Sequence, residues 1–322
     1  MNEILEKIGK MGLVPVIKLT TPEQAVPLGK ALMAGRIPVA EITFRSDAAE
    51  EGIALLAKEL PELITGAGTV LTTEQADRAM AAGAKFIVTP GFNPKVVKHC
   101  LEKNIPITPG VNNPAHIEQA IELGLSVVKF FPAEASGGTA MLKALAGPYG
   151  SRVSFIPTGG VGIKNVKDYL ALKNVFAVGG SWMVPTELLD AGEYDKIAAL
   201  CNEARLLSLG FSLLHLGINP DGKSQEEMMA SGRLLSTMLG LPFKEGTSSA
   251  FAGSSFEIMK QQGRGEKGHI AIETLSVERA LEWFEGFGIR PVEESIKLAG
   301  DKIKLAYLDK ELMGFAVHLN RK

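Results

Sequence analysis

The stretch LITGAGTVLTTEQADRAMAAGAKFIVTPG, residues 63–91, holds the pattern that decides the fold. A short apolar run, LITGAG (63–68), ends in a glycine-bearing turn. TEQADRAMAAG (73–83) follows, with alanines at helical spacing and a closing glycine, and KFIVTP (85–90) is the next apolar run. The same unit recurs in both directions. LVPVIK (13–18), VAEITF (39–44), IPITPG (105–110), VVKFFP (127–132), SFIPTG (154–159) and VFAVGG (175–180) bring the runs to eight, and segments such as PEQAVPLGKALMAG (22–35) fill the gaps. Strands alternating with helices imply a parallel sheet. Eight such units in about 200 residues imply a closed (β/α)8 TIM barrel of the α/β class, at the small end for that fold. The rival is an open doubly wound sheet. Its glycine fingerprint after the first strand is missing, because Lys18-Leu19-Thr20-Thr21 stands there.

The pattern stops near Arg205, and a different one begins at Leu213. LLHLGIN reads as a strand, EEMMASGRLLSTMLG as a helix, and FKEGTSSAF and GSSFEIMK as strands. From Gly268 the scheme restarts with HIAIET, VERALEWFEGFG, RPVEESIKL, DKIKLAYLD and LMGFAVHLN. Two copies of strand–helix–strands form an internal repeat of about 50 residues. Each copy alone would expose an apolar sheet face, so the halves should pair. At 322 residues the chain exceeds what one core usually supports. The reading is therefore a barrel over 1–205 and an α+β domain of two paired βαβββ modules over 206–322.

Composition narrows the function. Hydrophobic residues at 46% and charged residues at 22% fit an ordinary soluble globular chain. A net charge of −2 without a basic cluster argues against a nucleic-acid partner. No apolar run approaches the roughly 18 residues that span a bilayer, and MNEILEKIGKMG lacks a signal-peptide core, so the expectation is a cytoplasmic protein without a membrane partner. Cys100 and Cys201 stand alone and far apart, which suits a reducing compartment better than a disulfide scaffold.

In such a barrel the chemistry sits at the C-terminal ends of the strands. Those ends carry Glu41, Thr43 and Arg45, then Gly66-Ala67-Gly68-Thr69, Thr89-Pro90-Gly91, Thr108-Pro109-Gly110, Lys129, Thr158-Gly159-Gly160 and Gly179-Gly180-Ser181. Lys129 lies between Val127-Val128 and Phe130-Phe131. Burial of its charged form is costly, which favours the neutral amine, a nucleophile toward ketones. The competing reading is a lysine that snorkels to solvent. Glu41, inside VAEITF, could shuttle protons to such a lysine, or it could form a salt bridge to Arg45. Arg45 and Thr69 can hold a carboxylate, though a solvated loop arginine is equally plain. The glycine pairs at Gly159-Gly160 and Gly179-Gly180, with Ser181, end strands seven and eight, where barrels commonly bind phosphate.

Residues 1–205 resemble 2-keto-3-deoxy-6-phosphogluconate (KDPG) aldolase and the sister 4-hydroxy-2-oxoglutarate (KHG) aldolase. The resemblance rests on VPVI (14–17), EITFRS (41–46), GAGTVLT (66–72), TPG (89–91 and 108–110), KFFPAE (129–134), PTGGV (157–161) and VGGSWMVP (178–185). It implies Lys129 as the Schiff-base residue and Glu41 as the proton shuttle. It further implies Arg45 and Thr69 on the substrate carboxylate, Thr158 beside the substrate, and Gly159, Gly160 and Ser181 around a phosphate. Phe131 and Pro132 would wall the pocket, and Pro90, Gly179 and Gly180 complete the candidate substrate-binding set. A small-molecule 2-keto acid substrate, no cofactor and a homotrimer are further implications. The products would be pyruvate with glyceraldehyde 3-phosphate, or pyruvate with glyoxylate. The alternative is a non-catalytic barrel that binds a sugar acid and scaffolds the second domain.

Residues 213–322 resemble a vicinal-oxygen-chelate domain, the fold of glyoxalases and extradiol dioxygenases. That family places metal ligands on the first and last strands of each module. The matching positions hold His215, Glu257, His269 and His318; His318 departs from the usual glutamate. Three imidazoles and a carboxylate suit Zn, Ni, Fe or Mn. The bland reading is a set of inward polar residues satisfied by hydrogen bonds.

Overall fold

The computed structural model describes residues 2–322. The chain separates into two units, Met1–Ser208 and Leu209–Lys322.

In the first unit, every quoted apolar run forms strand. The strands are β1 Leu13–Ile17, β2 Val39–Thr43, β3 Ile64–Gly68, β4 Ile87–Val88, β5 Ile107–Thr108, β6 Gly110–Val111, β7 Val127–Phe130, β8 Ser154–Pro157 and β9 Val178–Gly180. All their pairings are parallel. One sheet runs β5-β4-β3-β2-β1-β9 and the other β6-β7-β8. β5 and β6 flank Pro109, whose missing N–H interrupts a ladder, so they are one barrel position cut in two. A parallel bridge between Thr158 and Gly179 joins the β8 end to β9 and completes the ring. The expected eight strand positions thus stand in an α/β barrel. β2 and β3 are buried at every residue, as a parallel strand between core and helices must be.

Close packing explains the small residues. A Cβ at position 66 would lie 2.3 Å from the Phe86 ring, and one at position 110 would lie 2.2 Å from the Pro90 carbonyl oxygen. Caps set several helix starts: Thr72 Oγ1 accepts the Gln75 N–H at 3.2 Å, and Asn93 and Asn113 precede helices opened by Pro94 and Pro114. No helix among the described residues is long and apolar enough to cross a membrane.

The division falls at 208/209 rather than at the expected 205/206. The helix Tyr194–Leu209 runs through Arg205, whose guanidinium is buried and bonded to the Met11 carbonyl. Arg205 is therefore part of the barrel core.

The second unit repeats one motif twice. The first copy is β10 Ser212–Ile218, a helix Gln225–Leu239, β11 Phe243–Glu245, β12 Ser249–Ala252 and β13 Phe256–Met259. The second is β14 Gly268–Thr274, a helix Val277–Glu285, β15 Lys297–Ala299, β16 Lys302–Tyr307 and β17 Phe315–Arg321. FKEGTSSAF is a hairpin rather than one strand, because Gly246 N–H bonds to the Ser249 carbonyl at 2.8 Å and turns the chain. RPVEESIKL holds a helical turn, Glu293–Ser295, ahead of β15. The sheet order is β11-β12-β13-β10-β14-β17-β16-β15. Within each copy the first strand pairs in parallel with the last (β10 with β13, β14 with β17), and the copies join through antiparallel β10 and β14. Each half has its own apolar cluster. Met228, Met229, Ala250 and Ile258 pack in the first; Val277, Ala280, Ala306, Val317 and Leu319 pack in the second.

Candidate active site and candidate metal centre

Lys129 on β7 reaches across the barrel to Glu41 on β2. Its Nζ donates to Glu41 Oε1 at 3.0 Å, with the two side chains 8% and 3% exposed. The neighbouring strand provides the room: a Cβ on residue 68 would lie 2.2 Å from Glu41 Oε1. The pair lines a narrow internal cavity with Val14, Phe86, Val88 and Thr108. The Phe131 ring lies 5.5 Å from Nζ. Lys129 therefore does not snorkel, and Glu41 pairs with it rather than with Arg45. Arg45 Nε donates instead to Thr43 Oγ1 at 3.0 Å, and Thr43 Oγ1 donates to the Ile17 carbonyl at 2.7 Å. A buried ion pair is poor evidence for stability, since desolvation offsets much of its attraction. Chemistry is the better reason for placing one beside a cavity.

The other candidates lie at the C-terminal ends of the strands. Thr69, directly after β3, adopts φ 56, a left-handed conformation costly for a β-branched residue and typical of functional strain. Thr158 is buried, and Gly179 leaves space for it, since a Cβ there would lie 2.3 Å from Thr158 Oγ1. Gly159 and Gly160 have φ 96 and 79, which only glycine adopts readily. Gly180 accommodates the Trp182 ring, and Ser181 is exposed. Among the described residues, neither Arg45 nor Ser181 hydrogen-bonds to Lys129 or Glu41.

Three residues not singled out from the sequence hold the glycine turn after β8. The Tyr169 hydroxyl donates to the Glu134 carboxylate, and Glu134 packs so closely that a Cβ on residue 160 would lie 2.5 Å from its Cγ. Asn165 accepts from Gly162 N–H at 2.8 Å and donates to the Gly160 carbonyl at 3.2 Å. Glu134 closes the KFFPAE stretch, which was the available signal; Tyr169 and Asn165 had none.

In the second unit the four expected ligand positions converge on the central strands β10, β13, β14 and β17. His215 Nε2 and His269 Nε2 are 3.1 Å apart, and Glu257 Oε2 lies 3.2 Å from the first and 3.1 Å from the second. The donor atoms of His215, His269 and His318 all fall within 4.8 Å of one another. His318 Nδ1 is engaged by Asn320 Oδ1 at 2.7 Å, which leaves its Nε2 as the inward donor. Ser249 Oγ donates to Glu257 Oε1 at 2.6 Å and leaves Oε2 inward. Contacts from His215, then His269, hold the Glu257 carboxyl far below the usual carboxylate range. Burial, followed by the charge of His269, pushes His318 down to about 4, so its ring is neutral, as a metal ligand must be. Gly217 makes this packing possible: a Cβ there would sit 2.1 Å from the His269 ring.

The donor set fits a metal ion. A proton on one Nε2 can serve one contact of the His215–His269–Glu257 triangle, and leaves lone pairs facing each other elsewhere in it. Ligands about 2.0–2.2 Å from a common ion lie roughly 3.0–3.5 Å apart, the spacing found among His215, His269 and Glu257, with His318 within 4.8 Å of the other two imidazoles.

An α/β barrel with a lysine–glutamate pair buried in its interior defines the first unit as an aldolase barrel. Comparison with known proteins makes this specific. The family described as KDPG and KHG aldolase matches residues 4–200. The 2-dehydro-3-deoxy-phosphogluconate aldolase of Treponema pallidum (strain Nichols) is 50% identical over 203 residues, covering 63% of this chain and 96% of that protein. The KHG/KDPG aldolase of Escherichia coli (strain K12) is 47% identical over 192 residues, covering 60% and 90%. Among solved structures, KDPG aldolase from Legionella pneumophila, with pyruvate captured as a covalent carbinolamine intermediate, superposes with a TM-score of 0.61. It has 38% identity and covers 62% of this chain and 97% of that one. The chain belongs to the KDPG and KHG aldolase family and is a class I aldolase, a carbon–carbon lyase. Aldolases of this family need no metal cofactor. The family match ends at residue 200, before the second unit begins.

Proposed function

We propose that the barrel cleaves 2-keto-4-hydroxy acids through a Schiff base on Lys129, with Glu41 carrying the protons. The 3.0 Å contact between Lys129 Nζ and Glu41 Oε1 supports this reading. Lys129 passes a proton to Glu41, the neutral Nζ attacks the substrate's keto carbon, and Glu41 returns the proton to the departing hydroxyl as the carbinolamine loses water to give an iminium. Glu41 takes the C4 hydroxyl proton as the C3–C4 bond breaks. The bonding pair enters the iminium, an aldehyde leaves, and an enamine remains. Protonation at C3 and hydrolysis release pyruvate and restore the amine. Arg45 and Thr69 hold the carboxylate, Pro90, Phe131 and Thr158 line the pocket, and Gly159, Gly160, Gly179, Gly180 and Ser181 receive a terminal phosphate. The phosphorylated substrate, giving pyruvate and glyceraldehyde 3-phosphate, suits that set; 4-hydroxy-2-oxoglutarate, giving pyruvate and glyoxylate, shares the pyruvate half. The family resemblance extends the reading to a homotrimer in the cytoplasm. Borohydride reduction with pyruvate should trap a stable adduct on Lys129, and an adduct on another lysine would overturn the assignment. Comparing kcat/KM on the two substrates fixes the preference, and a Ser181→Ala variant without effect on either would remove the phosphate role.

A second reading concerns the other unit. The mutual spacing of 3.1–3.2 Å among His215, His269 and Glu257 supports a glyoxalase-like domain that holds Zn, Ni, Fe or Mn through these residues and His318. A bound ion would supply Lewis-acid polarisation of a ligand oxygen. Metal analysis of the purified protein beside a His215→Ala/His269→Ala double variant tests this. Absence of stoichiometric metal in the unaltered protein after incubation with these ions would overturn it.

A further inference from the structure

Beside the donor cluster of the second unit stands a polar wall that the proposed metal site does not use. Tyr307 on β16 pairs across the sheet with His318. Their rings are 4.7 Å apart, and Tyr307 meets the His269 ring edge-on at 6.4 Å. Among the described residues the Tyr307 hydroxyl has no hydrogen-bond partner. The Arg264 guanidinium carbon lies 5.2 Å from the Tyr307 ring centroid. Such stacking fixes the plane of the guanidinium fork while leaving its edge free to pair an anion.

Arg264 is exposed, yet its loop is not loose. The buried Asn219 directly follows β10, the strand that bears His215. Its Nδ2 donates to the carbonyls of Gly263 and Gly265 at 3.3 and 2.8 Å, and its Oδ1 accepts the Gly263 N–H at 3.0 Å. Gly265 has φ 79, and a Cβ there would lie 2.1 Å from the Gly268 carbonyl oxygen. The strand that presents a donor thus also anchors the loop that presents the arginine. The existing ionic partner of Arg264 is Glu294 at 3.3 Å, with both side chains exposed. A pair of that kind contributes little and exchanges readily. A divalent ion with Arg264 nearby favours an anionic ligand over a cationic one.

We propose that the second unit binds a small organic anion across the metal centre and Arg264. Arg264 pairs a carboxylate on the end of the ligand away from the ion, and the Tyr307 hydroxyl donates a hydrogen bond to the other end. The assignment rests on the metal reading above. The test uses the full chain loaded with Co2+, its cobalt content measured first, and two probes that form no Schiff base. Acetohydroxamate and succinic monohydroxamate offer the ion the same head, but only the second carries a distal carboxylate. Titration is followed by the visible absorption of cobalt. The carboxylated probe should bind about tenfold or more tightly than acetohydroxamate. Arg264→Ala should abolish that preference while leaving cobalt content and acetohydroxamate affinity unchanged. Tyr307→Phe should weaken both probes. Equal affinities in the unaltered protein, or a preference that survives Arg264→Ala, overturn the proposal alone. Unchanged affinities in Tyr307→Phe overturn the part given to the hydroxyl. A chain that takes up no cobalt overturns the metal centre and this assignment together.

Discussion

Gly68 is the reason Glu41 can face Lys129: a Cβ at position 68 would lie 2.2 Å from Glu41 Oε1 and 2.7 Å from its Cγ. Position 68 is buried at the C-terminal end of β3, so the strand cannot simply move aside. Gly68→Ala should displace the carboxylate from the amine. If Glu41 moves protons in the reaction, kcat should fall by about 10²–10⁴, the usual worth of a positioned acid–base. Overpacking should also cost about 1–3 kcal/mol of stability. Steady-state kinetics with borohydride trapping separates the two: Lys129 should still label, more slowly. Full activity in Gly68→Ala would refute the role of this contact.

The Lys129–Glu41 ion pair makes a second prediction about energetics. Removing one member leaves the other charge buried without compensation, a loss of about 3–5 kcal/mol for fully enclosed pairs. Lys129→Met should therefore destabilise the barrel, and Lys129→Met/Glu41→Met should recover most of the loss while remaining inactive. Chemical denaturation of the three proteins checks this. A double variant less stable than Lys129→Met would show that the pair contributes net stability.

Much of the barrel is legible because its signal is local and repeated. Each apolar run is a strand, and register places the residue types at the strand ends. What escapes local reading is whatever depends on residues distant in the chain. Glu41 and Lys129 are 88 positions apart, and nothing near Glu41 distinguishes a lysine partner from Arg45 four residues further on. The repeat pattern stops near Arg205, but the helix Tyr194–Leu209 carries on through it, and the buried Arg205 guanidinium bonds to the Met11 carbonyl, nearly two hundred residues earlier in the chain. In the second unit, the resemblance to vicinal-oxygen-chelate domains singles out His215, Glu257, His269 and His318, and these side chains lie together. Asn219, Arg264 and Tyr307 were not legible, since a loop clamp and a ring stack have no sequence period.

The two cysteines give a pH prediction. Burial raises the Cys100 thiol to about 11 and the Cys201 thiol to about 12. In an unfolded chain a thiol loses its proton near 8.5. Below that pH both states hold the proton and the thiols leave stability unchanged with pH. Above it the unfolded state ionises first, so stability should fall as pH rises from about 8.5 through the folded values. Native protein at pH 8 should react with a thiol reagent far more slowly than denatured protein, and denaturation midpoints should decline between pH 9 and about 11. Rapid labelling of both thiols in the native state would contradict this.

Gly217 offers a test of the metal centre that changes no donor. It is paired in the sheet with both Glu257 and His269, on the strand that carries His215. A Cβ there would lie 2.1 Å from His269 Cε1 and 2.4 Å from its Nε2. Gly217→Ala must therefore turn the imidazole away from His215 and Glu257, and that movement should lower metal affinity by about 10–100-fold, as for other losses of ligand orientation. The displaced ring also removes a contact that keeps the Glu257 carboxyl ionised far below its usual range. Competition between the protein and a chelator of known affinity measures the effect without any assay of activity. Thermal unfolding with and without excess metal supplies the control: the unaltered chain should gain stability from metal, and Gly217→Ala should gain less at the same concentration. Equal affinity and equal stabilisation in the two proteins would mean that His269 does not hold the ion.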